Sequence, residues 1–158
     1  MKSGVQILKD DAPKLIQRME SLSKRAAYVG IPEEKASRRG DPEINNAELL
    51  YIFTNGSPAR NIPARPVIEP AIEYKPNADV ISAELKQFTE ATLDGNAARA
   101  DRSLKRAAME GQNAARAWFT NGANGWAPNA PSTIRRKGSS QPGIDTAQMR
   151  RAIIGITR

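Results

Sequence analysis

Residues 77–121 read NADVISAELKQFTEATLDGNAARADRSLKRAAMEGQNAARAWFTN, and the fold turns on them. Val80, Ile81, Leu85, Phe88 and Thr92 recur at helical spacing up to Gly95, which predicts a helix over 77–94. Leu104, Ala108, Gly111, Ala115, Trp118 and Phe119 mark a second, alanine-rich helix over 96–121, closed by Asn121-Gly122. Gly111 falls in its middle, where glycine costs about 1 kcal/mol against alanine. A close approach by the backbone of a neighbouring element accounts for it, and the spacing of Trp118 places that side chain in the core.

Towards the N-terminus, Asp10 and Asp11 precede Pro13, and Leu15, Ile16, Met19 and Leu22 recur on one face, predicting a helix over 11–24. Ala26–Ile31 (AAYVGI) is short, apolar and stopped by Pro32, as a strand is. Residues 32–43 carry charges of both signs with Gly40 and Pro42 and read as a mobile loop. Asn45 or Asn46 caps a short buried helix carrying Leu49, Leu50, Ile52 and Phe53, which Asn55-Gly56 ends. Prolines at 58, 63, 66, 70 and 76 then predict an extended arm over 57–76.

Towards the C-terminus, Trp126–Gly138 begins as loop and takes one helical turn after Pro131. Asp145 and Gln148 stand in the spacing of a capping box, with a helix over 146–153 and a final strand through Ile153, Ile154 and Ile156. Helices and strands mix without regular alternation. The expected fold is α+β, one domain over 1–158, with a small antiparallel sheet packed against one or two long helices and an extended proline-rich arm.

Composition narrows the function. The chain holds no histidine and no cysteine. That removes the usual general base near neutral pH, the commonest metal ligands and every Ser-His or Cys-His arrangement. No phosphate loop is present, and no Asp or Glu cluster stands out. The expectation is a protein without catalytic, cofactor-binding or metal-binding residues. No apolar run approaches the ~20 residues a bilayer span needs, and residues 1–10 lack a signal peptide's apolar stretch, so a soluble cytosolic product is expected. With only three Phe, three Tyr and two Trp, the core leans on aliphatic side chains and alanine and is thin, which leaves room for subunit contacts to add burial.

Charge is uneven: residues 1–95 hold 13 Lys or Arg against 14 Asp or Glu, whereas 96–158 hold 11 against 3, so the C-terminal part carries the whole excess of +7. Arg135, Arg136, Lys137, Arg150 and Arg151 are its candidate contacts for an acidic partner or for DNA phosphates, and a nucleic-acid-binding protein is the alternative reading. Trp118 and Trp126 are the aromatic residues that base stacking would use. In the arm, Arg60, Ile62, Arg65, Val67 and Ile68 suit a strap lying across a neighbouring subunit.

Four blocks of this sequence, NAELLYIFTNG (46–56), SPARNIPARP (57–66), WAPNAPSTIRRKG (126–138) and GIDTAQMRRAI (143–153), together resemble the phage virion morphogenesis and tail-completion family. The resemblance covers about residues 26–158. Such proteins usually carry Gly where Ala147 stands and Phe where Val67 stands. The resemblance implies a small α+β structural subunit of a tailed-phage virion, part of an oligomeric ring, favoured as a hexamer, that terminates the tail or joins it to the head. Implied partners are the tail tube protein and neck or connector proteins, with DNA passing through the lumen and no membrane contact. The implied location is the virion tail or neck, reached from the host cytoplasm, and the implied mode of action is assembly without catalysis.

Overall fold

The computed structural model describes residues 11–40 and 43–158. It is mostly helical with one two-stranded antiparallel sheet. The two long helices are α5 (Lys75–Leu93) and α6 (Ala97–Trp118). Gly95 turns the chain between them at a φ of +78°, and the Asn96 side chain accepts from the Arg99 N–H to start α6. On the buried side of α6 lie Ala100, Ser103, Leu104, Ala107, Ala108, Gly111, Ala114, Ala115 and Trp118. Small residues dominate that stripe, so neighbouring elements come close to the helix axis.

Strands β1 (Ala27–Gly30) and β2 (Ile154–Thr157) pair Tyr28 with Ile156 and Val29 with Gly155. Strand side chains alternate between faces, so Val29 and Gly155 share one face and Tyr28, Ile154 and Ile156 share the other. The first face meets α6. Val29 Cγ2 lies 2.7 Å from where a Cβ on Gly111 would stand, and a Cβ on Gly155 would run into the backbone of Ala108. Gly111 is thus a point of close approach, as its place in mid-helix suggested, but what approaches it is the Val29 side chain and not the backbone expected.

Around this centre, α1 (Ala12–Ser23) lies along α5, with Leu22 packed on the cluster of Phe88, Ala91, Ala100 and Leu104 and Arg18 donating to the Leu93 carbonyl at 2.6 Å. The rest of its apolar face, Leu15, Ile16 and Met19, remains exposed. The short helix α3 (Asn46–Asn55) starts at a full capping box: the Asn45 side chain accepts from the N–H groups of Ala47 and Glu48, and Glu48 accepts from the Asn45 N–H. Gly56 ends it at a φ of +73°.

Three expectations need correction. The stretch 57–76 is not extended. Pro58 opens a 3-10 turn, Ser57 bridges back to Ile62, helix α4 covers Ile68–Glu73, and Pro76 sits in the first turn of α5. Prolines 58, 70 and 76 fall in first turns, where the missing N–H has no intrahelical acceptor to lose. The expected mobile loop over 32–43 instead holds a helical turn, α2 (Glu33–Ala36). The buried Asn46 side chain ties its end by donating to the Ser37 carbonyl, and Gln148 bonds both the N–H and the carbonyl of Arg39. Residues 41 and 42 of that expectation lie outside the described residues. Finally, Asp145 does not cap the last helix, α8 (Gln148–Ala152): Ala147 takes the cap position at a φ of +58°, and Gln148 is drawn towards Arg39.

Candidate functional site

The four sequence blocks, which form two stretches of chain at 46–66 and 126–153, converge. The Phe53 and Phe119 rings stack at 5.9 Å, and the indole of Trp126 meets both edge-on at 5.2 and 5.5 Å. Trp126 donates from Nε1 to the Pro66 carbonyl, which pins the loop after α6 to the proline-rich stretch. Its ring belongs to this cluster, and Trp118 is buried against Ala71 and Ala114, so neither indole is presented to bases.

Beside the cluster opens a recess of about 240 Å³. Its apolar lining comes from Leu49 and Phe53 of α3 and from Met149 of α8. Its cations are Arg38, Arg65, Arg136 and Lys137, the last two on helix α7 (Pro131–Lys137), and its one acid is Asp145. Arg65 is buried, at 6% exposure, with Nε and Nη2 donating to the Ala127 carbonyl and Nη2 also to that of Pro128. Its guanidinium lies 5.7 Å from the Phe53 ring centre. Among the described residues no carboxylate stands in an ion pair with Arg38, Arg65, Arg136 or Lys137. Burial lowers the pKa of Arg65 from the ordinary arginine value. Burial also lowers that of Lys137, opposed by Asp145 and reinforced by the charges of Arg65 and Arg136.

No protein-family model, no curated protein and no solved structure matches the chain. Its function therefore rests on its own residues and surfaces.

The second notable surface is apolar. Tyr28 is 53% exposed on the outer face of the sheet, with Ile154 and Ile156 half-buried beside it. Tyr51 on α3, 70% exposed, stands between two grooves, one bordered by Ile31 and Pro66 and the other by Ile44 and Ile62.

The candidates named from sequence separate on this framework. Val67 is fully buried in the aromatic cluster's core and Arg65 is buried, so these two serve the subunit's own interior and not a strap between subunits; Ile68 packs against the cluster but stays half-buried at a groove beside Tyr51. Arg60 and Ile62 keep surface positions at the groove beside Tyr51. Of the basic residues, Arg136 and Lys137 face the recess and Arg135 is exposed. Arg150 donates to the Arg116 carbonyl while Arg116 donates back to the carbonyls of Arg151 and Ile153, and Arg151 donates to Thr146. Arg150 and Arg116 thus hold α8 and the lead-in to β2 against α6, while the Arg151 side chain ties down the turn before α8. The sequence reading missed Tyr28, Tyr51 and Arg38. An outer sheet face of Tyr and Ile with no polar residue was a usable signal for the first; nothing in the sequence marked Arg38.

Among the described residues no group of histidine, cysteine, Asp or Glu is arranged to hold a metal ion, and no helix is long and apolar enough to cross a membrane.

Proposed function

We propose that this chain is a non-catalytic structural subunit of a tailed-phage virion, acting in an oligomeric ring, favoured as a hexamer, that completes the tail and meets the neck. The observation that supports this reading is the outer face of the sheet. Two strands of four residues are too few for an independently stable sheet, and here one face is carried by α6 while the other offers Tyr28, Ile154 and Ile156 to solvent. The outer edges of β1 and β2 have no further strand to pair with among the described residues. Such a ribbon gains hydrogen bonds and burial when a neighbour adds a strand or lays an apolar face on it. Tyr51 and the exposed Leu15, Ile16 and Met19 extend the apolar surface available to neighbours. On this reading the proline-rich stretch contributes to contacts through Arg60 and Ile62, the tail tube and connector proteins are the partners, and DNA traverses the lumen.

The test is Tyr28→Lys. The variant keeps the wild-type circular dichroism spectrum as an isolated chain, because the side chain is half exposed, and it fails to enter rings or particles seen by electron microscopy. A variant that assembles as well as wild type would remove the ribbon from the interface. DNA binding that collapses with salt, without any ring, would favour the nucleic-acid reading.

A further inference from the structure

We propose that the recess beside Phe53 is a binding site for a carboxylate carried on an apolar-flanked segment of a protein partner. Three observations converge on it. First, its charge is only partly compensated: Arg38, Arg136, Lys137 and the buried Arg65 line it against the single acid Asp145, and none of the four stands in an ion pair with a carboxylate among the described residues. A buried guanidinium held by neutral carbonyls and the Phe53 ring, with no carboxylate partner, is costly, and an arriving anion offsets that cost. Secondly, two of the four cations are held in place. Arg65 is fixed by the Ala127 and Pro128 carbonyls, and Lys137 donates to the Gln141 carbonyl at 2.9 Å. The site is thus partly ordered before anything binds. Thirdly, the recess has an apolar side made by Leu49, Phe53 and Met149.

The apolar side decides between ligands. A phosphate of a nucleic-acid backbone brings charge with a hydrated sugar, which leaves Leu49, Phe53 and Met149 uncovered. A glutamate, aspartate or chain-terminal carboxylate next to a Leu, Ile or Phe satisfies both halves of the recess, with the carboxylate forming charge-assisted bonds to Arg136 and Lys137. The volume of about 240 Å³ holds one such group and no folded element. The inference rests on the recess alone and not on the ring reading, so the two fail separately.

Hexanoate, a carboxylate on an alkyl chain, serves as the probe, titrated into the ¹⁵N-labelled full chain at constant ionic strength and followed through backbone amide shifts. Saturable shifts are expected at Thr133, Lys137, Thr146 and Met149, with acetate about tenfold weaker because its shorter chain buries less apolar area. Lys137→Gln and Arg136→Gln each weaken hexanoate about fivefold or more, as loss of one charge-assisted bond implies. Arg102→Gln on the exposed side of α6 leaves it unchanged. If Lys137→Gln fails to fold, Arg136→Gln, at an exposed position, carries the test. Absence of saturable shifts, equal affinity for acetate and hexanoate, or hexanoate binding unaffected by Arg136→Gln would overturn the proposal. So would a short DNA duplex that shifts the same amides and is displaced by hexanoate.

Discussion

Around Phe88 and Leu104 the chain packs helix on helix, with α1, α5 and α6 contributing side chains at regular spacing. Around Phe119 it packs quite differently. There Phe53, Val67, Trp126, Met149 and Ile153 arrive from separate segments, several of them without regular structure, and are fixed by single side chains that bond backbone carbonyls, such as Arg65 to Ala127 and Trp126 to Pro66. The helical region is specified by repetition along the sequence. The other region is specified by a few long-range bonds whose loss frees a whole segment, and it is the one that holds the recess.

That contrast is open to attack, first at its centre. Phe119→Ala removes a fully buried ring from between Phe53 and Trp126 and should cost about 3–5 kcal/mol. Hydrogen exchange of the variant should show residues 126–149 opening while the amides of α5 and α6 stay protected. Equal loss of protection in both would show one cooperative unit and end the distinction. Arg65→Ala, which strips the carbonyls of Ala127 and Pro128 of their donor, should cost about 1.5–3 kcal/mol in denaturant unfolding. It should also release the loop before α7; an unchanged midpoint would show that water replaces the guanidinium without loss.

Ala147→Gly sharpens the comparison in the opposite direction. Ala147 occupies the left-handed region, which costs a residue with a Cβ on the order of 1 kcal/mol, so the glycine variant should gain about that much. A lower melting temperature for the variant would show that the local backbone is not the limiting cost.

The smallest effect is expected in the helical region. Hydrogen bonds from Lys105 and Arg25, with the charge of Lys105, hold the Asp101 carboxyl below its ordinary pKa. A depressed carboxyl contributes stability that is present above the unfolded-state pKa and lost as pH falls through the folded-state value. Asp101→Asn should therefore lower the melting temperature slightly near neutral pH and match wild type at the acid end; a constant difference across pH would contradict the assignment.

How far the sequence could be read follows the same division. The spacing of Val80, Leu85 and Phe88, the Asn45-Asn46 pair as a cap, and the misfit Gly111 are local signals, and helix boundaries, a cap and a close contact follow from them. The proline-rich stretch misled because proline forbids a helix interior but suits a first turn, and only the tertiary setting selects between them. Arg65 looked like a surface cation because nothing near it in sequence reveals that the carbonyls of residues 127 and 128 come within its reach. The recess has no sequence signature of its own, since its residues run from Arg38 to Met149 and are joined only by the folded chain.

Gly155 lies directly on the backbone of Ala108, and the Val29 side chain fills the space that Gly111 leaves open, so ribbon and helix meet at very short range. The angle between them is therefore set by one backbone contact and one Val29 methyl group, with little tolerance. If the proposed ring forms, every copy carries this joint, so an angular error in it is repeated in each subunit and decides whether the last subunit meets the first. A single added methyl group at residue 155 would in that setting be a change in curvature, turning a ring that closes into one that gapes or spirals.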